Sequence, residues 1–239
     1  MIIKCVDTKK VHIHFGGCGG SYSYLLGVGS YLQQNYDLSN VVFSGISGGN
    51  IIALLLILEM DIDDAFRHIN IPFLLRLQSY KMKSFYNFIP EFKKELLNVI
   101  NVDKNNYLKA CGRLYVNITR VFPFKNEIIS NFTSNEDLID CILASSHIPV
   151  YSNTLFYTFR NSYYLDGYLS AYDNFDNHDY FGQNFITLKF NIGTFRVLEN
   201  HFLFLSTCDK LARQLYKYGS HDIKSNILVY HPYLHSKSN

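Results

Sequence analysis

Short stretches of alternating apolar and polar residues are separated along this chain by longer stretches in which apolar residues recur every three or four positions. Val11–Phe15, V-H-I-H-F, alternates and predicts a strand. Ser21–Gln34 carries Leu25, Leu26 and Leu32 at helical spacing, weakened by Gly27 and Gly29. Val41–Ser44 predicts a second strand and Gly48–Met60 a helix. Asp61–Asp64 predicts a cap for a helix to about Asn70. Pro72–Pro90 is aromatic and irregular, which predicts a lid or surface insertion, and Glu91–Ile100 is helical. Arg113–Arg120 alternates as a strand, and Lys125–Phe132 predicts another. Ser134–Ala144 predicts a helix opened by Ser134 with Asp137 three residues on. Tyr163–Leu165 and Phe185–Phe190 predict strands, and Phe202–Tyr218 an amphipathic helix. Strands alternating with helices predict an α/β fold, a mostly parallel sheet with helices on both faces. No repeat and no linker is visible, so residues 1–239 read as one domain.

Composition narrows the function. Hydrophobic residues make up 48% of the chain, enough for a sizeable core. The formal charge is +2 without a concentrated basic run, so nucleic acid is not an expected partner. Cys5, Cys18, Cys111, Cys141 and Cys208 are odd in number and scattered, with no C-x-x-C pair. They predict neither a metal site nor a disulfide framework, and a reducing compartment follows. The N-terminus, M-I-I-K-C-V-D-T-K-K, turns polar too soon for a signal peptide. The longest uncharged apolar run, Ile51–Leu58, falls far short of the roughly 20 residues of a membrane span. The expectation is a soluble cytoplasmic protein, able to visit a membrane surface peripherally.

Three features carry candidate chemistry. Val41–Leu58, V-V-F-S-G-I-S-G-G-N-I-I-A-L-L-L-I-L, reads as strand, sharp turn and helix with Ser47 at the apex, the G-x-S-x-G nucleophile elbow. Gly45 and Gly49 flank the serine where strand and helix crowd together, and the following helix aims its N-terminal N–H groups at the turn. The second feature is Gly16–Gly20, G-G-C-G-G, joining a strand to a helix. It reads as an oxyanion hole serving Ser47, as a pyrophosphate cradle with Asp37 as a possible ribose partner, or as a tight glycine turn. The third is Asp166 in Y-Y-L-D-G-Y, a turn former or a general base for the serine. A Ser–Asp–His order would admit His178, His201, His221 or His231 as a triad base, and no context singles one out.

Elbow, glycine loop and Asp-Gly in this order resemble the patatin-like phospholipases, most closely the branch containing adipose triglyceride lipase and adiponutrin. Phe15–Leu32 is similar to that branch without gaps. So are Thr119-Arg120-Val121, Ile128–Phe132, the helix ending Ala144-Ser145-Ser146, His147-Ile148-Pro149-Val150-Tyr151, and Tyr164-Leu165-Asp166-Gly167. The likeness spans about Val11 to Ser170. It implies a three-layer α/β/α sandwich and a Ser–Asp dyad without a catalytic histidine, metal or other cofactor. Carried over by matching position, Ser47 is the nucleophile, Asp166 the base and Gly167 the glycine of the Asp-Gly motif. The same matching makes Gly17, Cys18 and Gly19 the oxyanion-hole backbone. The sequence departs from the pattern at Tyr22, where the third glycine of G-x-G-x-x-G belongs. It departs again at Tyr168, where D-G-G or D-G-A is usual, and in the continuation Ser170–Phe175.

The resemblance implies a lipid acyl hydrolase of phospholipase A or acylglycerol lipase type, acting in lipid degradation through an acyl-enzyme. Water or another acceptor would take the acyl group. Phospholipids or acylglycerols are the expected partners, with membrane or lipid-droplet contact. Tyr22 and Tyr168 motivate the alternative, a catalytically impaired lipid- or partner-binding protein. A Ser–His–Asp hydrolase is a third reading. Aromatic residues of Pro72–Pro90 and Tyr151–Tyr157 read as an acyl pocket, an interfacial patch or plain core, and Phe85 and Phe88 are expected to help dock lipid.

Overall fold

The computed structural model describes residues 10–79, 84–149, 154–171, 184–192 and 208–237. The strands are β1 (Lys10–Phe15), β2 (Val42–Ile46), β3 (Leu114–Arg120), β4 (Lys125–Ile129), β5 (Tyr157–Phe159), β6 (Ser162–Leu165) and β7 (Phe185–Phe190). They form one mixed, mostly parallel sheet in the order β5-β6-β3-β2-β1-β7, with β4 also paired to β3. β7, β1, β2 and β3 run parallel; β4 and β6 run antiparallel to β3. Helices flank the sheet: α1 (Tyr22–Asn35), α2 (Gly49–Ile57), α3 (Ile62–Ala65), α4 (Ile71–Ser79), α5 (Ser84–Ile100), α6 (Asn106–Ala110), α7 (Asn135–Ser145), α8 (Tyr168–Ala171) and α9 (Asp209–Asn226).

The register around β3 positions the site. β2 pairs with Leu114–Asn117 and β4 with Val116–Arg120, so these two take opposite edges of β3. β6 pairs with Thr119 and Arg120, residues whose other edge is already held by β4. β6 therefore lies on the same edge as β2, beyond its end, and runs toward it. The last residue of β2, Ile46, sits opposite Asn117, and the last residue of β6, Leu165, opposite Thr119. Two strands thus meet head-on, and the residue after each, Ser47 and Asp166, stands in the gap.

The alternation of Val11–Phe15 makes a strand, but one buried on both faces, as expected in a parallel sheet. Ile13 and Phe15 face one layer, and His12 and His14, equally buried, face the other. The two imidazoles lie 2.8 and 2.7 Å from Ser44 Oγ. Burial first, and nearby Lys189 second, hold His12 down to about 3. His14 falls to about 3 for the same leading reason. Both are neutral core residues at neutral pH.

Pro72–Pro90 is not irregular over its described residues. Ile71–Ser79 and Ser84–Ile100 are helical, with Pro90 inside α5. Phe73, Leu74 and Leu77 are buried, and rings of Phe73, Phe88 and Phe92 lie 5.2–5.7 Å apart, so this region is core and cavity wall. The C-terminal helix runs past Tyr218 to Asn226, while its expected start at Phe202 falls outside the described residues. Gly27 and Gly219, which weaken their helices locally, let α1 and α9 pack backbone to backbone. A Cβ on Gly27 would stand 2.0 Å from Tyr216 O, and one on Gly219 1.9 Å from Tyr24 O. Asp61 caps α3 by accepting the Asp64 N–H, and Ser134 caps α7 by accepting that of Asp137. No helix among the described residues is long and apolar enough to cross a membrane.

Candidate active site

Ser47 follows β2 directly and has φ +53°, a left-handed conformation that a side-chain-bearing residue adopts only when its surroundings force it. The forcing groups are local. The Asn50 N–H bonds back to Ser47 O at 3.1 Å, opening α2 under the serine. A Cβ on Gly49 would stand 2.3 Å from Phe15 O and 2.6 Å from Gly16 O, so only glycine lets the start of α2 press against the end of β1. Gly45 is equally confined by Asn50.

Asp166 follows β6 directly and is buried, 5% exposed. Its N–H donates to His147 O at 2.9 Å, and Thr119 Oγ1 donates to its carbonyl at 2.8 Å. One carboxylate oxygen, Oδ1, accepts the Tyr168 N–H at 2.9 Å, and the Ser47 hydroxyl lies near enough to favour the charged carboxylate. Burial raises the carboxyl to about 6, opposed by the Tyr168 N–H and the neighbouring Ser47 hydroxyl. Ionised at neutral pH but more basic than an exposed aspartate, it can take a proton from a bonded hydroxyl.

The glycine loop comes down beside the serine. A Cβ on Gly17 would stand 3.9 Å from Ser47 Cβ, and one on Gly48 2.5 Å from Cys18 Sγ. Gly16 N–H is taken by Phe190 O and Ser21 N–H by Cys18 O. Among the described residues, the N–H groups of Gly17, Cys18 and Gly19 have no hydrogen-bond acceptor. Gly19 holds φ +45°. Such a run of unsatisfied N–H groups can receive a developing negative oxygen. The Cys18 thiol is buried and pushed up by that burial, which leaves its backbone, not its sulfur, as the chemical asset.

The residue that joins these pieces is Ser145, at the end of α7, noted in the sequence only as part of a motif. Its Oγ accepts the Ser47 N–H and the Asn50 Nδ2–H, both at 2.9 Å, and donates to Asn117 O at 2.6 Å. Its carbonyl accepts the Gly167 N–H at 3.0 Å. Gly167 must be glycine here, since a Cβ would stand 2.2 Å from Asn117 O.

Tyr168 is half exposed, with its ring edge 3.6 Å from where a Gly17 Cβ would be, so it borders the site without filling it. Of the candidate histidines, His221 is exposed beside Asp222 and His231 lies 3.2 Å from the Tyr36 hydroxyl. His178 and His201 lie outside the described residues. Above Ser47 opens a cavity of about 140 Å³ walled mainly by apolar groups, among them Ile51, Phe73, Leu74, Phe88 and Ile148. Among the described residues no cluster of His, Cys, Asp and Glu could hold a metal ion.

The family model for patatin-like phospholipase matches residues 13–177. The chain is similar to human patatin-like phospholipase domain-containing protein 2, 30% identical over 168 residues covering 68% of this chain and 33% of that protein. It is 27% identical to human patatin-like phospholipase domain-containing protein 4, over 68% of this chain and 66% of that protein. It is 30% identical to human omega-hydroxyceramide transacylase, over 52% of this chain and 24% of that protein. The matched region thus covers between about a quarter and two thirds of these relatives' own lengths. The chain belongs to the patatin-like phospholipase family.

Proposed function

We propose that this protein, with residues 1–239 acting as one domain, is a serine lipid acyl hydrolase that cleaves phospholipid or acylglycerol esters through an acyl-enzyme. The observation that carries the reading is the placing of Ser47 beside the buried Asp166 carboxylate, with Ser47 in the wall of an apolar cavity. Asp166 takes the hydroxyl proton as Ser47 Oγ attacks the ester carbonyl carbon. The carbonyl oxygen, now negative, is received by the N–H groups of Gly17, Cys18 and Gly19. The bond to the alcohol then breaks, and Asp166 returns the proton to the departing oxygen. A water molecule, its proton taken by Asp166, attacks the acyl-serine and releases the fatty acid. An alcohol in place of water would make the same site a transacylase, the activity for which one of the similar proteins is named. The cavity seats the acyl chain, and no metal or cofactor enters the proposed steps.

Labelling with a fluorophosphonate tests the reading. Wild type is expected to label, and Ser47→Ala and Asp166→Asn to lose the label while remaining folded. Hydrolysis of phosphatidylcholine and triacylglycerol in detergent micelles then assigns the ester class. Folded wild type that neither labels nor cleaves any ester rejects the hydrolase and leaves the lipid-binding alternative. Labelling of the His221 and His231 variants at wild-type rate is expected, since neither residue lines the cavity.

A further inference from the structure

The cavity over Ser47 has a neighbour. A smaller apolar space of about 40 Å³ lies beyond it, reaching Leu55 on α2 and Leu96 and Val99 on α5. Tyr22, Ile51, Asn70, Phe73 and Phe92 line both spaces and so stand between them. Phe73 and Phe92 are fixed by their own ring contact at 5.5 Å. Tyr22 comes from the other side, at the first residue of α1, directly after the glycine loop. A Cβ placed on Gly48 would stand 3.3 Å from Tyr22 Cδ2, so the ring begins beside the nucleophile's neighbour and extends to the partition. The position is the one where the loop pattern has its third glycine, with no side chain at all. Here a large aromatic side chain occupies that room.

We propose that Tyr22 sets the length of acyl chain the site accepts. The chain lies in the first cavity and ends against the wall of Tyr22, Phe73 and Phe92; the space beyond is closed to it while the ring is present. This makes the preferred substrates esters of short to medium acyl chains, and it rests on the hydrolase reading above. Each methylene moved from water into an apolar pocket is worth about fourfold. Opening the wall by two methylenes should therefore raise the relative kcat/KM for the longer ester roughly fifteenfold.

The test is a profile of kcat/KM for p-nitrophenyl esters from butyrate to palmitate. Wild type is expected to peak and fall off beyond the length that reaches the wall. Tyr22→Ala should move the peak to longer chains, Tyr22→Phe should keep it, and Val99→Phe added to Tyr22→Ala should move it back by filling the second space. Ratios between esters are read rather than absolute rates, because residue 22 adjoins the glycine loop. Where Tyr22→Ala does not fold, Tyr22→Leu shortens the side chain while keeping it apolar. A folded variant with an unshifted profile overturns the proposal. If wild type cleaves no ester, the hydrolase reading fails by itself. The wall is then judged by displacement of cis-parinaric acid with fatty acids of graded length. A relative gain for longer acids in the residue 22 variant supports it, and equal displacement overturns it.

Discussion

Ser145 holds Ser47 by its backbone: the Ser47 N–H donates to Ser145 Oγ at 2.9 Å, and that same hydroxyl donates onward to Asn117 O at 2.6 Å. The side chain at the end of α7 thereby ties the strained residue after β2 to the adjacent strand β3. The carbonyl of the same residue, Ser145 O, holds Gly167 beside Asp166. Ser47 and Asp166 are thus both referenced to one residue that does not itself line the cavity.

Ser145→Ala leaves the Ser47 N–H, Asn50 Nδ2–H and Asn117 carbonyl without their partner in a buried place. Each such group costs about 1–3 kcal/mol, so a stability loss of about 3 kcal/mol or more is expected by urea unfolding. Ester turnover of the folded fraction should fall by about tenfold or more through kcat, with KM little changed, because the cavity is untouched. Equal kcat in folded variant and wild type would show that Ser145 only supports the fold.

Asp166 must be ionised to accept the Ser47 proton. With its carboxyl raised to about 6, kcat/KM for an uncharged ester is expected to rise with pH through about 6 and then level off. A pH profile flat between 5 and 8 would contradict the assigned base.

The same shift carries a stability cost with a defined sign. The folded protein holds the Asp166 proton up to about pH 6, whereas the unfolded chain releases it near 3.8. Stability is therefore lost as pH rises through that window, and the full penalty, on the order of 2–3 kcal/mol, is present above it. Asp166→Asn removes the penalty. It should melt on the order of 5 °C above wild type at pH 8, with the gap closing below pH 4.

Gly49 and Gly112 separate two costs of adding a methyl group. At Gly49 the new Cβ would meet backbone oxygens that cannot give way, and Gly49→Ala should cost more than about 2 kcal/mol. At Gly112 nothing lies within 4 Å, but φ is +70°, so Gly112→Ala should cost about 1 kcal/mol. Thermal melts of the two variants check the order.

Lipid contact is not expected at Phe88, which lines the cavity. Phe122 and Phe124, at the turn between β3 and β4, are 66% and 64% exposed, and Leu155 and Tyr163 are also exposed. Phe122→Ser with Phe124→Ser should weaken sedimentation with phosphatidylcholine vesicles severalfold and spare turnover of a soluble short-chain ester. Unchanged sedimentation places the contact elsewhere.

The elbow was legible because its determinants are neighbours in sequence. Strand, Gly45, Ser47, Gly49 and the apolar helix all fall within Val41–Leu58. Asp166 was legible only through resemblance; by itself an aspartate before glycine reads as a turn, and its partner comes from another strand. Ser145 was missed as a link because its bonds go to backbone groups, which leave no mark in sequence. The helices across Pro72–Pro90 were missed because two prolines and clustered aromatics hid the spacing of Phe73, Leu74 and Leu77. β5, three residues long, has too short a pattern to detect. The histidines of β1 obscured a strand buried on both faces, since burial of His12 and His14 depends on Ser44 across the sheet.

The head-on meeting of β2 and β6 along one edge of β3 also has a consequence for synthesis. A chain emerging from the ribosome displays Ser47 long before Asp166 exists to bond it, and β6 has no edge to occupy until β3 has been laid down. On the proposed chemistry, nascent and truncated chains carry a serine without its base. On that chemistry, esterase activity begins only when the second of the two opposed strands arrives and the sheet is assembled.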